Sequence, residues 1–456
     1  MSSKRPGAAV VPIDAETPFA PHELFFSTTD EKGIIRSGND VFVRVSGYER
    51  EQLVGRAHNV VRHPDMPRGV FQIFWDMLGE GTGVAAYVKN LAADGRYYWV
   101  MALVVPIDTG YLSVRLKPCS PLFDAARKIY AEVLEHEQAV EDGDVANRKA
   151  AIAAGVEKTK ELLAAAGFSD YRTFMRAALI TELSDQQEAF AASTHSAAGG
   201  SADPRAERAL GTLSGASVHL DRLVCDLRQY ASLAEEMTER SQFLLGLAGN
   251  IRLFSLNAVL TSARLGSQAA ALGTVAQVLG RQSKEAEPEI RALNKLLEES
   301  VDALGIMQFR IAASKLLTEM VFSYLEKEGS DVSSNAAELA DLANALSDGT
   351  DRLAEAMDRF YGGLAEIEGG AKHIDRLLSV VRALEINGRV EGARLGDAQI
   401  GALFTEVGKE VAEATDQLRG FGTLRAVVGE GAAEDGEGLC SALTETADDL
   451  IDLARG

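Results

Sequence analysis

Between residues 220 and 251, apolar or small side chains return at alternating three- and four-residue spacing: Leu220, Leu223, Leu227, Tyr230, Ala234, Met237, Ser241, Leu244, Ala248 and Ile251. A seam of that period is the stripe of a long helix packed on other helices. A second seam runs Leu353, Met357, Phe360, Leu364, Ile367, Ala371, Ile374, Leu378 and Val381. Each leads into a related string. The first is Asn257-Ala-Val-Leu-Thr-Ser-Ala-Arg264-Leu-Gly266 and the second Asn387-Gly-Arg-Val-Glu-Gly-Ala-Arg394-Leu-Gly396, an offset of 387 − 257 = 130 residues. Leu223, Tyr230, Met237, Leu244 and Ile251 correspond to Leu353, Phe360, Ile367, Ile374 and Val381 at the same offset. Register held over so many turns predicts an internal duplication. Glycine tolerates the left-handed backbone, so Gly266 and Gly396 predict that each helix stops and reverses there. An amphipathic arm cannot bury its stripe alone. Two helical hairpins with both turns at one end therefore predict a long antiparallel four-helix bundle made within one chain. Ala234 and Ala248 correspond to Leu364 and Leu378, and large against small at equivalent layers favours pairing of the unlike hairpins.

Ahead of the seams the period falls to two. Strands are expected at residues 25–29, 34–37, 85–90, 97–105 and 111–116, with Asp30-Glu-Lys-Gly33 and Ala93-Asp94-Gly95 as turns. Short helical pieces fit residues 39–53 and 68–78, which makes residues 22–120 an α+β sheet domain of sensor type. Residues 123–139, 146–166 and 170–192 read as connector helices, and the Ser-, Gly- and Ala-rich stretch 193–205 as a flexible joint. The chain thus divides into a sheet domain, a helical connector (121–206) and the duplicated hairpins (207–456), the first hairpin at 207–327 and the second at 333–428. Pro288 is a candidate kink, and residues 429–438 a polar loop before a last short helix.

Charge and composition narrow the function. A net charge of −21 over 456 residues disfavours nucleic acid or an anionic lipid surface as partner. The three cysteines, Cys119, Cys225 and Cys440, stand too far apart in sequence for a disulfide framework or metal cluster, which fits a reducing cytoplasm. The longest apolar run, Tyr97–Ile107, is too short to span a bilayer, and residues 1–20 lack the pattern of a signal peptide. No nucleophile–base pair or phosphate-cradling glycine loop stands out, so a non-enzyme is expected.

Several strings in the sheet domain resemble the PAS domain of bacterial aerotaxis receptors: Phe26-Ser-Thr-Thr-Asp30, the run from Asn39 to Tyr48, His58-Asn59-Val-Val-Arg62-His63-Pro64-Asp65-Met66-Pro67, Val88-Lys89-Asn90 and Gly95-Arg-Tyr-Tyr-Trp99. That family holds FAD non-covalently and reports its redox state. The resemblance implies ligand-pocket roles for Asn39, His58, Arg62, His63, Asp65 and Asn90, while the tryptophan the family places shortly before the Val-Lys-Asn string falls at Val84. On chemistry alone, Arg62 and His63 suit a phosphate or a ring edge and Asp65 a ribose or ring N–H. The same residues also suit a plain structural role, with Arg62 and Asp65 paired and His63 in a turn. Haem on a histidine, or no ligand, are the alternatives.

The duplicated strings resemble the kinase-control tip of methyl-accepting chemotaxis receptors. The resemblance implies partner contact through Asn257, Arg264, Gly266, Asn387, Glu391, Arg394 and Gly396. It implies as partners the chemotaxis coupling protein and its histidine kinase. The first copy departs by carrying Thr261 where the second keeps Glu391. Ordinary receptors build this bundle from two identical chains, so a chain holding both hairpins implies a fused pseudo-dimer, with dimerisation through the PAS domain left open. Together the resemblances imply a cytoplasmic transducer for redox or oxygen taxis. The rivals are an adaptor that has lost kinase control, a flavin-dependent enzyme and a purely structural coiled coil.

Overall fold

The computed structural model describes residues 10–186, 204–328, 336–428 and 430–455. It forms two compact units, one of Met1–Cys225, Gln308–Ala354 and Gly436–Gly456, the other of Asp226–Met307 and Glu355–Asp435.

The first unit opens with five strands: β1 (Phe25–Thr29), β2 (Ile35–Gly38), β3 (Val84–Leu91), β4 (Tyr97–Ile107) and β5 (Gly110–Leu116). They form one sheet of order β2-β1-β5-β4-β3 with every neighbouring pair antiparallel. Between β2 and β3 lie α1 (Asp40–Ser46), α2 (Arg50–Leu53), a 3-10 turn (His58–Val61) and α3 (Arg68–Gly79). Alternation sends successive side chains of a strand to opposite faces. On β1, Phe25 joins the core with Phe42 and Tyr98, whereas Phe26 faces a helix of the bundle.

Helices α4 (Pro121–Glu141), α5 (Arg148–Ala165) and α6 (Tyr171–Asp185) follow. The expected joint at 193–205 lies outside the described residues as far as 203, and its last two residues begin α7 (Pro204–Leu265). Two buried carboxylates tie the connector to the sheet domain. Glu137 of α4 accepts from the Arg68 and Gly69 amides that open α3, and Glu182 of α6 accepts from the Cys119 and Ser120 amides and from the Tyr87 hydroxyl. Helices α3 and α5 cross at two glycines: a Cβ on Gly69 would stand 2.7 Å from the Gly155 backbone.

The remaining helices are α8 (Ala270–Glu328), α9 (Ala336–Leu395), α10 (Ala398–Val428) and α11 (Glu430–Arg455). In the first unit every residue of α8 from 311 to 322 is buried. Such all-round burial needs neighbours on both sides. The sheet domain supplies one of them. Phe26 meets Tyr324 with ring centroids 5.6 Å apart, Thr109 donates to Asp341 at 3.1 Å, and Arg352 donates to the Gly81 carbonyl at 2.5 Å. Inside the helices, Lys315 is held by Asp221 at 2.7 Å and Glu319 at 2.5 Å. The sequence reading of 429–438 as a loop is corrected from residue 430 onward, because α11 is helical there. Its stripe of Leu439, Leu443, Ala447, Leu450 and Leu453 is buried, and that packing outweighs the poor helix propensity of its glycines.

In the second unit the helices form a ring. Ser255 of α7 bonds to Ala276 of α8, and Arg240 of α7 bonds to Gln417 of α10. Gly370 of α9 packs on Leu293 of α8, and Gly388 of α9 on the Phe404 ring of α10. The second seam is buried along its whole length; of the first, Leu220, Leu223, Tyr230 and Met237 are buried and Ala234 half-buried. The side chains of Leu227, Ser241, Leu244, Ala248 and Ile251 lie outside the described ones. Gly266 and Gly396 both turn the chain at φ +66°. Helix α8 continues through Pro288.

Candidate functional site

The inner face of the sheet and helix α3 enclose a cavity of about 150 Å³. Strand alternation places Ser27, Asn90, Ala102, Val104, Ser113 and Arg115 on the sheet side, and the apolar face of α3 supplies Phe71, Phe74, Trp75 and Leu78. The 3-10 turn contributes His58 and Asn59, and Arg62 follows it. The Trp75 ring meets those of Phe74 and Tyr111, with centroids 5.6 and 6.0 Å away, so the helical wall is aromatic.

Arg115 sits at the polar end, 4% exposed. Its guanidinium donates to Ser27 Oγ at 3.0 Å and to the Ser113 carbonyl at 3.5 Å, and lies 2.7 Å from His58 Nε2. A guanidinium has no acceptor, so His58 Nε2 accepts and the ring is neutral. Burial first, and then the charge of Arg115, hold the His58 pKa down to about 3. Burial also lowers Arg115 to about 10. Arg62 donates to the Met66 carbonyl at 3.0 Å and lies 4.1 Å from the Phe71 ring centroid. Burial and Arg68 lower its pKa, and Glu137 works in the opposite direction.

Of the six residues expected at a ligand pocket, His58, Arg62 and Asn90 line this cavity and Asn39, His63 and Asp65 do not. Asn39 caps α1: its Oδ1 accepts from the Phe42 and Phe26 amides, and its amide donates to the Leu24 carbonyl. His63 Nδ1 accepts from the Asp65 amide at 3.1 Å, and burial, then Lys89, lower its pKa. Asp65 pairs with Lys89 at 2.6 Å. Val84 is fully buried on β3, away from the cavity lining, and Trp75 provides an aromatic surface from α3 instead. Sequence reasoning missed Arg115, Ser27, Ser113 and Trp75. One signal was present: Tyr111, Ser113 and Arg115 alternate with Leu112, Val114 and Leu116. That is a strand with a polar inner stripe.

At the turns of the second unit, Asn257, Thr261 and Arg264 share a cavity of about 260 Å³ with Gln399, Ile400 and Phe404. The two copies differ. Arg394 pairs with Glu391 at 2.8 Å, whereas Thr261 spends its hydroxyl on the Asn257 carbonyl. Apolar side chains stay exposed at equivalent places near both turns, Leu256 with Ile386 and Leu260 with Val390.

Residues 36–112 match the PAS fold family, so the sheet domain with its cavity is a PAS domain. Over 119 residues the chain is 40% identical to the aerotaxis receptor of Escherichia coli (strain K12). The match covers 25% of this chain and 24% of that receptor, so the chain spans about a quarter of the length of the curated relative it matches. The long helices that follow are consistent with a chemoreceptor-like signalling bundle. Among the described residues no helix is long and apolar enough to cross a membrane.

Proposed function

We propose that this chain is a cytoplasmic, non-enzymatic sensory transducer for redox or oxygen taxis. In this reading the PAS cavity holds FAD, and the bundle carries its state to a chemotaxis coupling protein and histidine kinase at the tips. The observation that carries the reading is the cavity itself, which lies in the PAS domain and joins an aromatic wall to a donor-rich end. Those residues fit a flavin ring. Phe71, Phe74 and Trp75 offer a flat apolar surface, and Arg62, Asn90 and Arg115 offer donors to the ring carbonyls. The buried Ser113 hydroxyl has no partner among the described residues and can supply a further donor. A space of about 150 Å³ is below the usual 300–1,000 Å³ of a cofactor site, so the ring alone belongs inside and the dinucleotide tail at the mouth. A flavin there supplies reversible electron transfer. This chain's residues orient the ring and exclude water. Haem has less support, because the Nε2 of His58 is turned to Arg115 and the Nδ1 of His63 to the Asp65 amide.

Contacts of the sheet domain with α8 and α9 suit direct transmission by a small shift in packing. Exposed Leu256, Leu260, Ile386 and Val390 suit partner docking at the tips, and the ring of four helices from one chain suits an intramolecular pseudo-dimer. A second reading, an adaptor without kinase control, is favoured by Thr261, which leaves the first tip without the carboxylate of the second. Absorption spectra of the purified chain, oxidised and reduced, test the sensor: a flavin spectrum that bleaches supports it, and a chain that stays colourless when offered FAD refutes it. Capture of the coupling protein that is lost in Arg394→Glu separates the transducer from the adaptor.

A further inference from the structure

We propose that the ligand of the PAS cavity brings a negative charge to Arg115, so that the site is built for a carboxylate, or for a ring that becomes anionic, and not for a permanently neutral molecule. The inference rests on reading this cavity as the sensor's ligand site. Arg115 is 4% exposed and lines the cavity, and its hydrogen-bond partners are a hydroxyl, a carbonyl and a neutral imidazole. Among the described residues no Asp or Glu lines the cavity and no carboxylate pairs with Arg115. A buried charge without a counter-charge destabilises the protein that holds it, and the deficit is removed when an anion arrives.

Arg62 makes the contrast. It lines the same cavity, but there the Glu137 carboxylate on α4 works against the lowering by burial and Arg68, and no carboxylate acts on Arg115 in the same way. A second observation points to the same place. Ser113 is 7% exposed and lines the cavity, and its hydroxyl has no hydrogen-bond partner among the described residues. A guanidinium fork beside a free hydroxyl is a donor set for an oxyanion, and His58, held neutral, leaves its lone pair on Arg115 and adds no second charge.

The negative charge has two possible sources, a free small carboxylate or a flavin that gains charge on reduction, and two arms on the full chain separate them. In the first, flavin-free protein is melted with propionate or with neutral propionamide, followed by tryptophan fluorescence, since Trp75 lines the cavity. The expected result for a free carboxylate is a saturable rise in melting temperature with propionate alone, lost in Arg115→Met and Arg115→Gln. In the second, FAD-loaded protein is titrated with dithionite as the electron source. The expected result for a flavin is a lower midpoint in Arg115→Met; a tenfold loss of preference for the reduced ring is about 30 mV for a two-electron couple.

A response in either arm supports the inference and names the source. Without ligand, Arg115→Met should melt higher than wild type, which a merely structural arginine would not allow. A lower ligand-free melting temperature in both variants, or no dependence on Arg115 in either arm, overturns the inference. FAD bound with an unchanged midpoint and no propionate response defeats this inference alone. Failure to bind FAD with a propionate response intact defeats only the flavin reading.

Discussion

Glu137 governs the cavity wall from outside the cavity. Its carboxylate, 3% exposed on α4, accepts from the Arg68 amide at 2.9 Å and the Gly69 amide at 2.6 Å, at the first turn of the helix that carries Phe71, Phe74 and Trp75. Glu137→Ala leaves two helix-terminal donors without an acceptor, at about 1–3 kcal/mol each. It also removes a negative charge from the positive end of α3, at about 0.3–1 kcal/mol. Burial acts in the other direction: it raises the Glu137 pKa, so part of the loss returns when the charge is deleted. The net expectation is a loss of about 2–4 kcal/mol, and about half of that for Glu137→Gln, which keeps one carbonyl acceptor. Both tryptophans of the chain, Trp75 and Trp99, lie in the PAS domain, so urea unfolding followed by tryptophan fluorescence reads this domain inside the full protein. An unchanged midpoint with an unchanged slope in Glu137→Ala would refute the reasoning. The pH dependence has a definite sign. A carboxyl whose folded pKa lies above its ordinary 4.5 contributes stability that is fully present below 4.5 and is lost as pH rises through the folded value. The stability of wild type relative to Glu137→Gln should therefore fall across that window and level off above it.

Three further outcomes are expected. Lys315→Ala strands Glu319, itself 5% exposed, and should cost about 3–5 kcal/mol by circular-dichroism melting. Lys315→Met combined with Glu319→Leu should recover most of that loss, and a double variant as unstable as the single one would contradict the assignment. At φ +66°, Gly266→Ala and Gly396→Ala should each cost about 1–2 kcal/mol, read by the same melts. Phe26→Ala removes the ring packed on Tyr324 and should cost about 3–5 kcal/mol by tryptophan-detected unfolding, with Thr28→Ala on the same strand as the milder comparison.

Much of the architecture was legible along the chain. The expected strands at 25–29, 34–37, 85–90, 97–105 and 111–116 stand within two residues of β1–β5 at every end, because alternation is a local property that a strand must show to bury one face. The seam from Leu353 to Val381 is buried throughout, and the turns at Gly266 and Gly396 follow from the one residue type that reverses a helix without strain. Tertiary structure alone decided what covers each surface. Residues 430–438 are helical because α11 has a stripe to bury, and 311–322 are buried all round because the PAS sheet closes a side that a heptad pattern leaves open. The site divides in the same way. His58, Arg62 and Asn90, read from the two strings they occupy, line the cavity, while Asn39 caps α1. Arg115 lies 57 residues from His58 in sequence and 2.7 Å from it in space. Periodicity tells a residue which face of its own element it occupies, but a buried charge acquires its meaning from neighbours that only the folded chain brings to it.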